Sequence, residues 1–204
     1  MTRLRIATYN VHSAVGVDRR FRPQRIADVI EELGADVVAL QEVLSPVREL
    51  DVHAHLREAT GLHFVAMATM QLAGGTFGNA LLSRWPIVDL AEHGLSVPKR
   101  EPRGAIDATI GREARELRVL ATHLGLRAYE RSAQLARLLD IVREAPEMPT
   151  VLLGDFNATR GHARELRAYA ARLGKSDPLA TFPSIAPVLP LDRIFALHGA
   201  AIVD

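Results

Sequence analysis

Short apolar runs that end in a single polar residue recur along this chain. Leu4 to Tyr9 ends at Asn10, Val37 to Leu40 ends at Gln41-Glu42, and Leu117 to Thr122 ends at His123. Val151-Leu152-Leu153, preceded by Pro149, runs into Gly154-Asp155-Phe156-Asn157. Runs this short, bounded by turn-forming residues, predict buried strands with polar tips where strand gives way to loop. In α/β sheets that edge is where ligands and catalytic groups collect.

Helical periodicity fills the intervals. Pro23 to Leu33 places Ile26, Val29, Ile30 and Leu33 on one face, with proline early and Gly34 at the end. A second helix is predicted over Asp51 to Ala59, stopped by Gly61, and a longer one over Arg127 to Glu144, burying Leu135, Leu138, Leu139 and Val142. Arg160 to Leu173 reads as another, ended by Gly174. His63 to Thr69, Gly78 to Ser83 and Ile87 to Leu90 read as strands, with a loop around Gly74-Gly75-Thr76 and a turn at Trp85-Pro86. Ala105 to Ile110 and Glu116 to Ala121 flank Gly111-Arg112 as a hairpin. Hairpins mixed with crossover helices point to two packed sheets with helices outside, not to a single parallel sheet. No linker or charge block divides the chain, so residues 1–204 are expected to form one domain.

Composition narrows this only slightly. At 204 residues, 48% apolar and 24% charged, the chain has ample core and an ordinary globular balance. No apolar run has membrane-spanning length, and Met1 to Arg5 lead straight into the first strand without a signal-type apolar region. Cysteine is absent, which excludes disulfides and thiolate metal sites. These features place the expectation in the cytoplasm. The net charge of +1 does not announce nucleic acid as the partner.

The strand tips carry the chemistry. Glu42 and Asp155 offer hard oxygen ligands for a divalent cation, and Asn10, His123 and Asn157 offer neutral groups suited to phosphate oxygens. The combination predicts a metal-dependent, phosphoester-cleaving site.

Six segments, taken in order, are similar to the successive signatures of the endonuclease/exonuclease/phosphatase superfamily. They are Thr8-Tyr9-Asn10-Val11-His12, Leu40-Gln41-Glu42, Gly78-Asn79-Ala80-Leu81-Leu82-Ser83, Thr122-His123-Leu124, Gly154-Asp155-Phe156-Asn157 and Leu191-Asp192-Arg193-Ile194. Each alone is weak, and their order along nearly the whole chain gives the set its specificity. The resemblance implies a four-layered α/β/β/α sandwich of two mixed sheets flanked by helices, and Mg²⁺- or Mn²⁺-dependent phosphoester cleavage. By the same resemblance Glu42 is the principal metal ligand, with Asn10 beside it holding the metal or the attacking water. Asp155 would orient or deprotonate that water, while Asn157 and His123 would donate to phosphate oxygens. Arg103 is a candidate phosphate contact, with a plain surface arginine as the equal alternative. His12 and Asn79 fall in matching motifs as substrate-side or supporting residues.

Asp192 resembles the aspartate that orients a histidine on a later Ser-Asp-His segment. No such segment occurs up to Asp204, and His198 lies too close along the same strand to fold back. The expectation is a chain whose last strand and catalytic histidine lie beyond Asp204. A non-catalytic binding module is the alternative.

Substrate is less legible. Arg160, Arg164 and Arg167, and Lys99-Arg100 before Arg103, are the residue types a nucleic-acid surface uses, though a solvated helix face is the simpler reading. Aromatic residues, at 5%, are too scarce for a base-stacking platform. The expected substrate is a small, lipid or nucleotide phosphodiester, with a nuclease of the same superfamily as the alternative.

Overall fold

Val37 to Leu40 are wholly buried because both faces of their strand are covered. Val38 and Leu40 pack with helix residues Ile26, Ile30 and Leu56, whereas Val37 and Ala39 pack against Ile106, Val119 and Val151 of a second sheet. That alternation is the ground plan. In this computed structural model, which describes residues 3–47, 49–112, 115–144, 148–158 and 179–202, one sheet lies back to back with another.

The first sheet contains β1 (Ile6–Asn10), β2 (Val37–Ser45), β3 (His63–Leu72) and β4 (Gly75–Ser83), in the spatial order β1-β2-β4-β3. The second contains β5 (Ile87–Gly94), β6 (Gly104–Arg112), β7 (Arg115–His123), β8 (Thr150–Asp155) and β9 (Asp192–Leu197), in sequence order. Each sheet has one parallel pair among antiparallel ones: β1 with β2, and β7 with β8. Helices α1 (Gln24–Leu33) and α2 (Val52–Thr60) cover the outer face of the first sheet. Helix α3 (Ala128–Glu144) covers the second, through Leu135, Leu138, Leu139 and Val142. The layers are therefore helix, sheet, sheet, helix.

Local chemistry fixes the ends. Asp51 caps α2 by accepting from Ala54 N at 3.1 Å, and Gly34 closes α1 in a left-handed conformation at φ 53°. On α1 the buried positions are Ile26, Ala27 and Ile30, while Leu33, expected on that face, is 41% exposed as the last residue of the helix.

Boundaries differ from the sequence reading, beginning with the β6–β7 hairpin, where Gly111 and Arg112 are paired strand residues and not its turn. Gly75-Thr76 belongs to a strand, because β3 and β4 pair down to Leu72↔Gly75 and leave only Ala73-Gly74 as the turn. β5 continues to Gly94 along β6. β2 does not stop at Glu42 but runs to Ser45, since Val43 to Ser45 resume pairing with β4 beyond an irregularity between Leu40 and Val43. The predicted helix from Arg160 to Leu173, with Arg164 and Arg167, lies outside the described residues.

Phe156 ties this frame to the strand ends. It is fully buried, meets Phe195 edge-on at 5.3 Å between ring centroids, and sits among α3 side chains. Phe156→Ala should cost about 3–5 kcal/mol of stability. Urea denaturation measures this; a loss of less than about 1 kcal/mol would show that the ring is not an anchor.

Candidate active site

The two parallel pairs bring the ends of β1, β7 and β8 and a mid-strand point of β2 to one edge. Asn10 closes β1 beside Gln41 of β2, and His123 closes β7 beside Asp155 of β8. Asp155 also stands opposite Asp192, the first residue of β9. Gly154 makes the approach possible: it adopts φ +144°, and a Cβ there would lie 1.8 Å from the Thr122 carbonyl oxygen.

Glu42 enters the cleft by a device the sequence did not advertise. It occupies the irregularity in β2 with a left-handed backbone at φ 57°. A bulge places an extra residue in the strand and re-aims its side chain, and left-handed backbone in a non-glycine residue is a cost tolerated mainly at functional sites. Asn157, at φ 49°, and His12, at φ 45°, share the feature.

Hydrogen bonds then join the two sheets. Asn10 Nδ2 donates to Glu42 Oε1 at 2.8 Å and to Asp155 Oδ2 at 3.2 Å. His12 Nδ1 lies 3.2 Å from Glu42 Oε2. Burial would raise the Glu42 carboxyl, but the bonds from His12 and Asn10 outweigh it and hold it at about 2. The reciprocal bond raises His12. Asp155 Oδ1 accepts from the backbone N of Asn157 at 2.8 Å. Asp192 is pushed up to about 6 by burial and by the charge of Asp155, against a hydrogen bond with Thr181. Its Oδ1 is buried without a hydrogen-bond partner among the described residues.

His123 is nearly enclosed, at 4% exposure. Arg103 Nη1 stands 3.2 Å from its Nδ1, and Asn157 Nδ2 stands 3.1 Å from its Nε2. Both neighbours are donors, and the guanidinium is the charged and stronger one, so Nδ1 accepts and the proton sits on Nε2. Asn157 cannot turn its amide, because Nδ2 also donates to the Leu124 carbonyl at 2.9 Å. Two N–H groups therefore face each other at the cleft, with Asp155 Oδ2 beyond hydrogen-bond reach at 3.7 Å from Nε2. Adjacent donors without an acceptor form a seat for an anionic oxygen. Burial and then the Arg103 charge lower His123 to about 4, so the ring is neutral at neutral pH.

Of the residues read from the sequence, Asn10, His12, Glu42, Arg103, His123, Asp155 and Asn157 form one contiguous cluster, and Asp192 adjoins it. Asn79 stands apart. It is buried in the middle of β4 and donates to the Gly104 carbonyl at 3.2 Å, tying one sheet to the other. Arg103 is 6% exposed and bonded to His123, so the surface-arginine alternative does not hold. His198 lies at the far end of β9 from Asp192. Thr181, at Asp192, and Glu101, 2.9 Å from Arg103, were not legible, since neither sits in a recognisable local pattern.

Residues 7–201 match the model of the Endonuclease/Exonuclease/phosphatase family. The chain belongs to this family. A curated relative, the uncharacterized protein YbhP of Escherichia coli (strain K12), is 31% identical over 218 residues, covering 97% of this chain and 86% of its own. Among solved structures, the endonuclease/exonuclease/phosphatase from Beutenbergia cavernae DSM 12333 superposes with a TM-score of 0.78 at 24% identity. That match covers 98% of this chain and 66% of the other. The Bacteroides thetaiotaomicron VPI-5482 mannosyl-6-phosphatase Bt3783 gives 0.79 at 17% identity, covering 97% and 86%. Both likenesses show the fold. Family members are hydrolases of the phosphatase and nuclease type and generally use a divalent metal. Among the described residues no helix is long and apolar enough to cross a membrane.

The donor set fits such an ion. Two carboxylates share one amide, and a third carboxyl is buried with an oxygen unpartnered among the described residues, so oxygen lone pairs remain for a cation beside the single His12 contact. No three acidic or histidine side chains among the described residues form a preformed cage. A hard cation bound through one or two carboxylates and otherwise hydrated suits that arrangement, as Mg²⁺ does.

The imidazole assignment predicts a ¹⁵N NMR spectrum in which His123 is the neutral Nε2–H tautomer at pH 7. Because its folded value lies below the ordinary 6.5, the unfolded chain takes up this proton first. Its contribution to stability is thus intact above pH 6.5 and is lost progressively as pH falls from there to about 4. Arg103→Met should raise the His123 value toward, but not to, 6.5. An Nδ1–H tautomer in the wild type would contradict the site as drawn.

Proposed function

We propose that the chain is a divalent-metal-dependent phosphodiesterase, using Mg²⁺ or Mn²⁺, acting on a small phosphodiester of nucleotide or lipid type. The observation that carries the reading is the pair of unspent donors, His123 Nε2–H and Asn157 Nδ2–H, held beside a carboxylate that keeps an acceptor oxygen turned to the same cleft.

Glu42 and Asn10 would hold the ion, the first through its oxygens and the second through its amide. Bound there, the ion supplies Lewis-acid polarisation of a phosphoryl oxygen. The remaining work belongs to the side chains. Asn157 and His123 donate to the non-bridging oxygens, which carry more charge as the transition state forms. Neither adds negative charge, so the phosphate is not repelled. Asp155 orients a water and accepts its proton as the water oxygen attacks phosphorus and the ester P–O bond breaks. Its own position is fixed from both sides, by Asn10 on one oxygen and the Asn157 backbone on the other. Asp192, raised to about 6 and next to Asp155, is the candidate to hold a proton near the leaving oxygen.

Bis(p-nitrophenyl) phosphate is the first substrate to assay. Hydrolysis should require Mg²⁺ or Mn²⁺ and stop in excess EDTA. Glu42→Gln should abolish it with little loss of fold, and His123→Ala or Asn157→Ala should each lower kcat by about 10²–10³-fold. Full activity in EDTA would overturn the metal assignment, and wild-type rates in both donor variants would overturn the phosphate seat.

A further inference from the structure

A groove of about 200 Å³ opens beside Arg103. Its walls are two segments that leave the site itself. One is the stretch before β6, with Arg100, Glu101 and Arg103; the other follows β7, with Leu126, Arg127 and Glu130. Arg103 is common to groove and site, since its Nη1 meets His123 while the side chain lines the groove. Arg103 is thus the side chain that connects the groove to the His123 ring.

The charges are unevenly matched. Glu101 pairs with Arg103 at 2.9 Å, and Glu130 with Arg100 at 3.4 Å. Arg127 has no carboxylate partner among the described residues. Arg103 Nε is buried and lacks a hydrogen-bond partner among the described residues, while its Nη1 is engaged by His123 and Glu101. An orphaned buried donor is costly unless a ligand completes it. Glu101, by contrast, has a 43% exposed side chain, so its carboxylate can leave Arg103 at little cost. It occupies the place an anion would take. The volume is below the about 300 Å³ at which drug-sized pockets begin, and suits one sugar- or polyol-phosphate unit.

We propose that this groove is a specificity subsite that accepts a second phosphate, borne on the sugar or polyol esterified to the scissile phosphate, with Arg127 and Arg103 as its ligands and Glu101 as the displaceable placeholder. This rests on the phosphodiesterase reading for its orientation, and the test separates the two. Binding is measured by calorimetry for two pairs: thymidine 5′-monophosphate against thymidine 3′,5′-bisphosphate, and inositol 1-phosphate against inositol 1,4-bisphosphate. The pair that discriminates identifies a nucleotide or a lipid-headgroup source.

In at least one pair the bisphosphate should bind roughly tenfold or more tightly, as expected for a charge-assisted contact. Arg127→Ala should bring that ratio close to one, and Glu101→Gln should widen it. Opposite effects from neighbouring residues are not what a merely structural salt-bridge cluster gives. Equal binding in both pairs, or a ratio untouched by Arg127→Ala, overturns the subsite. In parallel, the p-nitrophenyl ester of thymidine 5′-phosphate is assayed with and without a 3′-phosphate. No hydrolysis of either ester, with the binding ratio intact, refutes the phosphodiesterase reading and leaves the subsite standing; hydrolysis of both at equal rates with equal binding does the reverse.

Discussion

One amide holds two sheets to a common task. Asn10 Nδ2 reaches Glu42 within the first sheet and Asp155 on the second, residues 145 apart from Asn10 in the latter case. Two carboxylates drawn to one neutral donor remain short of positive charge, and that deficit organises the rest of the edge. It raises His12, adds to burial in driving Asp192 toward its protonated form, and makes a hydrated divalent cation a suitable guest. Asparagine serves because its nitrogen donates while its oxygen stays available, here to the backbone N of His12 at 3.1 Å.

The opposite wall of the cleft is built on the reverse principle. Arg103 is buried between the imidazole of His123 and the Glu101 carboxylate rather than presented to solvent. The result is a neutral ring with a fixed tautomer, turned toward a second neutral donor. A phosphate would thus meet excess negative charge compensated by a cation on one side and uncharged N–H groups on the other. Such a field favours charge that migrates onto the non-bridging oxygens, which is where phosphoryl transfer develops it.

Much of the frame was legible in the sequence because burial on both faces leaves continuous apolar runs. Val37 to Leu40 and Val151 to Leu153 announce central strands, and their polar termini announce an edge with chemistry. Asn10, His123 and Asp155 could be found this way. What the sequence could not show is how the other side chains are aimed, which depends on backbone irregularity or on distant partners. Glu42 is aimed by a bulge that its neighbours in sequence do not encode, since the bulge exists only in register with β4. Asn79 shares a motif with site residues yet spends its amide on Gly104, a partner 25 positions away. Arg103 and Thr181 acquire meaning only when His123 and Asp192 arrive beside them.

The claim at the centre is that Glu42 and Asn10 gather a cation within reach of the His123 and Asn157 donors. Paramagnetic broadening by Mn²⁺ in ¹⁵N NMR tests it directly, because the effect falls steeply with distance and needs no substrate. The account predicts that side-chain signals of Asn10, Asn157 and His123 vanish first as Mn²⁺ is added, that excess Mg²⁺ restores them, and that Glu42→Gln removes the effect. Broadening centred elsewhere on the protein, or unchanged in Glu42→Gln, would contradict it.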